Sequence, residues 1–164
     1  MDKKESKVYE VLEKLAIPYE KYNHAPVATI AAIEELEMDL EVIHFKNLFL
    51  RNSKGDQHYL VLVDSSKKAN TKAIAKQIGS TRLSFASDER LEKYLGLEPG
   101  AVSPMGLIND INKEVEVLID QDLVSQEKVT LHPNVNTASI TISYENLKKF
   151  LAWCGNKVQF VEIP

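Results

Sequence analysis

The chain has 164 residues, 44% hydrophobic and 27% charged, which suits one packed domain and argues against wholesale disorder. Its net charge of −4, from 24 acidic and 20 basic side chains, argues against a nonspecific nucleic-acid binder and against a DNA partner, but allows an enzyme that touches one RNA end through a local basic patch. No apolar run approaches the roughly 18 residues of a membrane helix. MDKKESKVYEVLEKLAI has no apolar signal core, and the single Cys154 suits a reducing cytoplasm.

Residues 4–16 read as an amphipathic helix, with Val8, Val11, Leu12 and Leu15 on one face and Pro18 limiting it. Tyr19 to Tyr22 is a short strand, His24-Ala-Pro26 a turn, and Thr29 the cap of a helix through Leu36. Ile43 to Arg51 and His58 to Asp64 form a hairpin across the Asn52–Asp56 turn. Asn70 or Thr71 caps a helix that stops at Gly79, and Ser87 caps another that stops at Gly96. Strands follow at Val115–Ile119, Lys128–Leu131 and Ala138–Ile142. Ser143 caps a helix ending at Gly155, and Lys157–Ile163 is a final strand. The order predicts a mixed α/β (α+β) fold with several antiparallel pairs. There is no GxGxxG and no P-loop, so neither common nucleotide site is indicated.

Three segments carry possible chemistry. Lys46 and Asn47 interrupt the apolar strand IHFKNLFL, and alternation sets Phe45 and Asn47 on one face, Lys46 and Leu48 on the other. Alone, that lysine reads as an edge-strand cation; in a pocket it would stabilise an oxyanion or pair with a phosphate. In LEPGAVSPMGLIND, the small residues Ala101, Val102 and Ser103 between Gly100 and Pro104 let a ligand approach backbone N–H groups. In TLHPNVNTAS, His132 sits before Pro133, and Asn134 and Asn136 mark a polar turn that could hold a sugar hydroxyl or phosphate. Each segment also has a plain structural explanation as loop or turn. Lys67, Lys68, Lys72, Lys76 and Arg82 form a basic cluster, the best candidate for contact with RNA phosphates. The remaining histidines lack metal-ligand spacing, no GxSxG frames a serine, and Cys154 on an apolar helix reads as a packed thiol.

In order and spacing, KNLFL, the GxxxP pattern of PGAVSPMGLIND and LHPNVNTAS resemble the YbaK/ProX family of aminoacyl-tRNA deacylases, as does the opening LAIPYEKYNHAPVAT. KNLFL with SPMGLIND is more similar to the family's alanyl-specific prolyl-tRNA editing branch than to its cysteinyl-specific branch. The resemblance spans the chain and implies one editing domain over residues 1–164, with a mixed, mostly antiparallel sheet or partial barrel flanked by helices. It implies hydrolysis of the ester joining a wrong amino acid to a tRNA 3′ end, most specifically alanine on tRNA(Pro), without metal or other cofactor. Lys46 matches the family's functional lysine, Gly100 to Pro104 its GxxxP loop and His132 its adenosine-side histidine. Asn47 and Asn134 would join the substrate contacts, and Ile30 and Ile33 would match the amino-acid pocket wall. Expected partners are the tRNA acceptor end and prolyl-tRNA synthetase, for a cytoplasmic monomer or weak homodimer. Deacylation of a Cys-, Ser- or Thr-charged tRNA stays open, as does a non-catalytic module binding a tRNA end or amino acid.

Overall fold

A computed structural model of the chain describes residues 3–23 and 45–164. The His24–Pro26 turn, the Thr29 helix with Ile30 and Ile33, and the first two residues of the Ile43–Arg51 strand lie outside the described residues.

Helix α1 (Lys3–Lys14) buries Val8, Val11 and Leu12, the stripe its spacing predicts. Strand β1 (Glu20–Asn23) follows, tied back to α1 where Lys21 and the Tyr9 hydroxyl both reach Glu5 Oε2, at 2.8 and 2.7 Å. Burial works against the Glu5 charge, but these hydrogen bonds outweigh it and hold its pKa below the usual carboxylate value. Strands β2 (Phe45–Arg51) and β3 (His58–Asp64) form the expected hairpin, with Phe45 opposite Asp64 and Arg51 opposite His58. Asn52 closes it by accepting N–H groups of Gly55, Asp56 and Gln57.

Helices α2 (Thr71–Ile78), α3 (Asp88–Leu95) and α4 (Tyr144–Cys154) start and stop where the cap residues predict. Asn70, not Thr71, caps α2, accepting the Ala73 N–H at 3.0 Å. Ser87 and Ser143 do the same for α3 and α4. Strands β5 (Val115–Asp120), β6 (Lys128–Leu131) and β7 (Ala138–Ser143) match the periodic reading. The last strand, β8, is shorter than expected, Val158–Val161. Three short elements carry too little periodicity to be foreseen: strand β4 (Ser84–Phe85) and 3-10 turns at Pro104–Asn109 and Gln121–Leu123.

Among the described residues the strands make two sheets, β1-β7-β6 and β4-β2-β3-β5-β8. The first is antiparallel throughout; in the second, β3–β5 and β5–β8 are parallel. The centre of the larger sheet, β3 and β5, is buried on both faces, which is why HYLVLVD runs apolar without alternation. Phe45, Phe49, Leu60, Leu62, Val117 and Ile119 face a large core shared with α1, α3, α4 and the small sheet. Leu50, Val61, Val63 and Leu118 face a second core closed by Ile74 and Ala75 of α2. A fully buried Leu or Ile in either core contributes roughly 1.5–3 kcal/mol. No helix of the described residues is long and apolar enough to cross a membrane.

Candidate active site

The glycine–proline loop leaves α3 and is shaped by its own backbone. Gly100 sits at φ +89°, a conformation that side-chain-bearing residues rarely adopt. The Ala101 N–H closes a turn on the Glu98 carbonyl at 3.1 Å, so of the four N–H groups expected to face a ligand this one is already used. Val102 and Ser103 find no acceptor for theirs among the described residues. Ser103, wholly buried, caps the following 3-10 turn by accepting the Met105 N–H at 3.2 Å. Pro104 begins that turn, where a missing N–H costs nothing. Gly106 is fixed by packing: a Cβ there would stand 2.6 Å from Leu97 Cδ1.

The turn after β6 meets this loop. Asn134, buried and at φ +63°, donates from Nδ2 to the Met105 carbonyl at 3.3 Å. That acceptor fixes the orientation of the amide and leaves Asn134 Oδ1 buried without a partner. A Cβ on Gly100 would lie 3.6 Å from Asn136 Nδ2, so the two segments touch a second time. The Nδ1 of half-buried His132 lies 3.1 Å from the Ala138 carbonyl. A carbonyl partner requires a proton on Nδ1, which makes Nε2 the acceptor nitrogen of the neutral ring.

Lys46 enters from a different direction. It is the second residue of β2, half-buried, and alternation sends it to the α2 side while Asn47 faces the large core. Its Nζ donates to the Lys67 carbonyl at 2.5 Å. Asn47 Oδ1 is buried without a partner. The fold thus joins two of the three segments directly, and Lys46 stands on the opposite face of its strand.

Among the described residues the Gly100–Pro104 loop and the Asn134–Asn136 turn are in contact, while Lys46 bonds to the Lys67 carbonyl instead, and comparison with known proteins decides the family. The model of the aminoacyl-tRNA editing domain matches residues 24–150. The chain belongs to the aminoacyl-tRNA editing family. It is 45% identical to the prolyl-tRNA editing protein ProX of Acetoanaerobium sticklandii over 163 residues, 99% of both chains. It is 31% identical to the prolyl-tRNA synthetase associated domain-containing protein 1 of Bos taurus, over 88% of this chain and 86% of that one. A crystal structure of a protein proposed as a trans-editing enzyme for prolyl-tRNA synthetase superimposes with a TM-score of 0.74 at 20% identity, covering 100% of this chain and 99% of that one. The fold of the editing family is therefore shared, and the chain is an aminoacyl-tRNA deacylase.

The basic stretch of this editing domain divides. The Lys67 ammonium, read from sequence as an RNA contact, is spent internally, 2.9 Å from Asp120 Oδ1 and 2.7 Å from Asp122 Oδ2. Burial alone would lower its pKa, but Asp122 and Asp120 outweigh that and raise it. Lys68, Lys72 and Lys76 are exposed. Lys72 and Lys76 line a groove of about 650 Å³ with Arg82, and no carboxylate is among its lining residues.

His58 and Cys154 are structural. The His58 ring packs between Phe49 and Tyr94, with Arg90 Nη1 3.1 Å from Nε2. Burial first, then Arg90, Arg51 and Lys93, hold its pKa down to about 4, so the ring is neutral. Cys154 is buried, which pushes its thiol up to about 12 and makes it a packed group. Among the described residues no group of three His, Cys, Asp or Glu side chains could hold a metal. Sequence reasoning passed over Asp120 and the Met105 carbonyl. Asp120 signals itself only as a carboxylate ending the apolar strand VEVLID, and nothing local marks the carbonyl.

Proposed function

We propose that this chain, as one editing domain over residues 1–164, hydrolyses the ester of alanine mischarged onto tRNA(Pro), releasing free alanine and tRNA. Prolyl-tRNA editing is the activity that the ProX relative's name carries, and the identity to it runs the full length. The observation that carries the reading on this molecule is the Asn134–Met105 hydrogen bond, which holds the polar turn against the loop bearing the Val102 and Ser103 N–H groups.

In the reaction, water attacks the ester carbonyl, the bond from that carbon to the ribose oxygen breaks, and the ribose oxygen takes a proton. The carbonyl oxygen gains negative charge on the way, and preorganised donors stabilise it. The Val102 and Ser103 N–H groups supply such donors and Lys46 supplies positive charge. His132 and Asn134 hold the terminal adenosine, with Asn47 at the substrate's edge and the ribose 2′-OH assisting the water. Ile30 and Ile33, outside the described residues, are assigned to the amino-acid pocket by the family resemblance alone. A synthetase pocket built for proline cannot fully exclude the smaller alanine, because each missing methylene is worth only about 1–3 kcal/mol of discrimination. A second, smaller site accepts alanine and rejects the proline ring.

The acceptor stem lies along the groove of Lys72, Lys76 and Arg82, with Lys68 at its edge. Prolyl-tRNA synthetase is the expected partner, and a cytoplasmic monomer or weak homodimer the expected state. The test is hydrolysis of tRNA(Pro) charged separately with alanine, cysteine, serine and proline. Alanine is expected to be released fastest and proline not at all; faster release of cysteine or serine would reassign the substrate.

A further inference from the structure

The lysine assigned to the ester is itself held by a turn that a second group of charges fixes in place. Lys46 Nζ lies 2.5 Å from the Lys67 carbonyl oxygen. An ammonium has three donors, and among the described residues Lys46 spends one of them on this carbonyl. The acceptor is a neutral carbonyl, and the nearby Asp64 carboxylate feels the same cation, which adds to the Ser66 hydrogen bonds in lowering the Asp64 pKa.

That carbonyl belongs to a tight turn after β3. The Lys67 N–H donates to the Asp64 carbonyl at 3.0 Å, and the Ser66 N–H and hydroxyl donate to the Asp64 carboxylate at 2.9 and 2.7 Å. These bonds close the turn by themselves. What fixes the closed turn to the sheet is Asp120, the last residue of β5, with 0% exposure. Asp120 Oδ2 accepts the Asp64 N–H at 3.1 Å. Its Oδ1 accepts from the Lys67 ammonium at 2.9 Å and from the Asp122 N–H at 3.1 Å. Lys67 therefore works at both ends, its ammonium on Asp120 and its carbonyl on Lys46. A buried carboxylate is costly unless paired and hydrogen-bonded. Here it meets three donors, two of them on a turn already closed without it, so what it adds is placement.

We propose that Asp120 is a positioning residue for editing: by pinning the Asp64–Lys67 turn to β5 it aims the Lys67 carbonyl at Lys46 and sets where that cation sits. The proposal rests on the reading that Lys46 acts on the ester. It predicts that Asp120 and Lys46 belong to one unit although no hydrogen bond joins them directly.

The experiment is a double-mutant cycle in the full chain, with Lys46→Ala, Asp120→Asn and the two combined. Single-turnover deacylation of Ala-tRNA(Pro) is measured beside thermal melting. Asp120→Asn is expected to lower the rate at saturating enzyme 10- to 100-fold, with the half-saturating concentration within about twofold of wild type. In the Lys46→Ala background the same substitution is expected to change nothing further. A merely structural aspartate would instead lower the rate by the same factor in both backgrounds, and that result overturns the proposal. Should Asp120→Asn not fold, Lys67→Met with Asp120→Asn removes the Asp120 and Lys67 charges together and carries the same cycle. If Lys46→Ala keeps full activity, the reading of Lys46 fails. If Lys46→Ala is impaired while Asp120→Asn is not, only the positioning role fails.

Discussion

The junction of the Gly100–Pro104 loop with the Asn134–Asn136 turn and the junction of Lys46 with Lys67 and Asp120 are built from opposite materials. The first is neutral, held by an amide-to-carbonyl bond at 3.3 Å, a left-handed Asn134 and close packing around Gly106. The second is ionic, with a wholly buried carboxylate and a lysine whose two ends serve different partners. Backbone donors that meet a developing oxyanion need fixed geometry, and neutral bonds supply it without titrating. The cation is placed by a neutral carbonyl, and that carbonyl's turn is fixed by a charged pair.

The comparison breaks most sharply at Lys46. Lys46→Ala is expected to lower deacylation of Ala-tRNA(Pro) by about 10²- to 10³-fold, the usual cost of removing one oxyanion-stabilising group. Full retention of activity in that assay would leave the neutral junction as the whole site. At the neutral junction, Gly106→Ala forces a methyl into space held by Leu97 and is expected to cost about 1–3 kcal/mol in chemical denaturation. Asn134→Ala loses the bond to Met105 and strains a left-handed position by roughly 1–2 kcal/mol. Asn134→Gly loses the bond but relieves the strain. Glycine is therefore expected to melt higher than alanine while both weaken editing; equal melting would show that the left-handed backbone does not matter.

The ionic junction is also expected to respond to pH where the neutral one does not. The Lys67 pKa is raised above 10.5 in the folded chain, so its contribution is complete below that value and is lost as pH rises through the folded pKa. Asp64 runs the other way. Hydrogen bonds from Ser66 hold its pKa below 3.8, so its contribution is present above that value and lost as pH falls through the folded pKa. Stability curves should therefore fall at both extremes, and Asp120→Asn should move the alkaline limb to lower pH. An unmoved limb would detach Lys67 from that transition. The smallest effect is expected at the surface. Lys72→Ala and Lys76→Ala should each reduce the slope of log affinity for tRNA against log salt by about 0.7–0.9. An unchanged slope would remove the acceptor stem from the groove.

Much of this molecule was legible where the relevant physics is local. Asn70 with Gly79, Ser87 with Gly96 and Ser143 with Gly155 delimit helices because a cap forms within one turn of the chain. The alternation that separates Lys46 from Asn47 follows from strand geometry alone. Strand β4 escaped because two residues have no period, and Pro104–Asn109 escaped because its cap, Ser103, looks like any loop serine. The parallel pairing of β3 with β5 escaped because nothing in either strand names its neighbour.

The sequence by itself determined the capped helices, the longer strands and the three motif segments, since these depend on contacts a few residues apart. Only the tertiary structure decided that Met105 accepts from Asn134, that Lys67 serves Asp120 rather than solvent, and that Lys46 rests on a carbonyl 21 residues away. A side chain's partner across the fold depends on which strands share a sheet and in what register, and that choice is made by burying two cores at once.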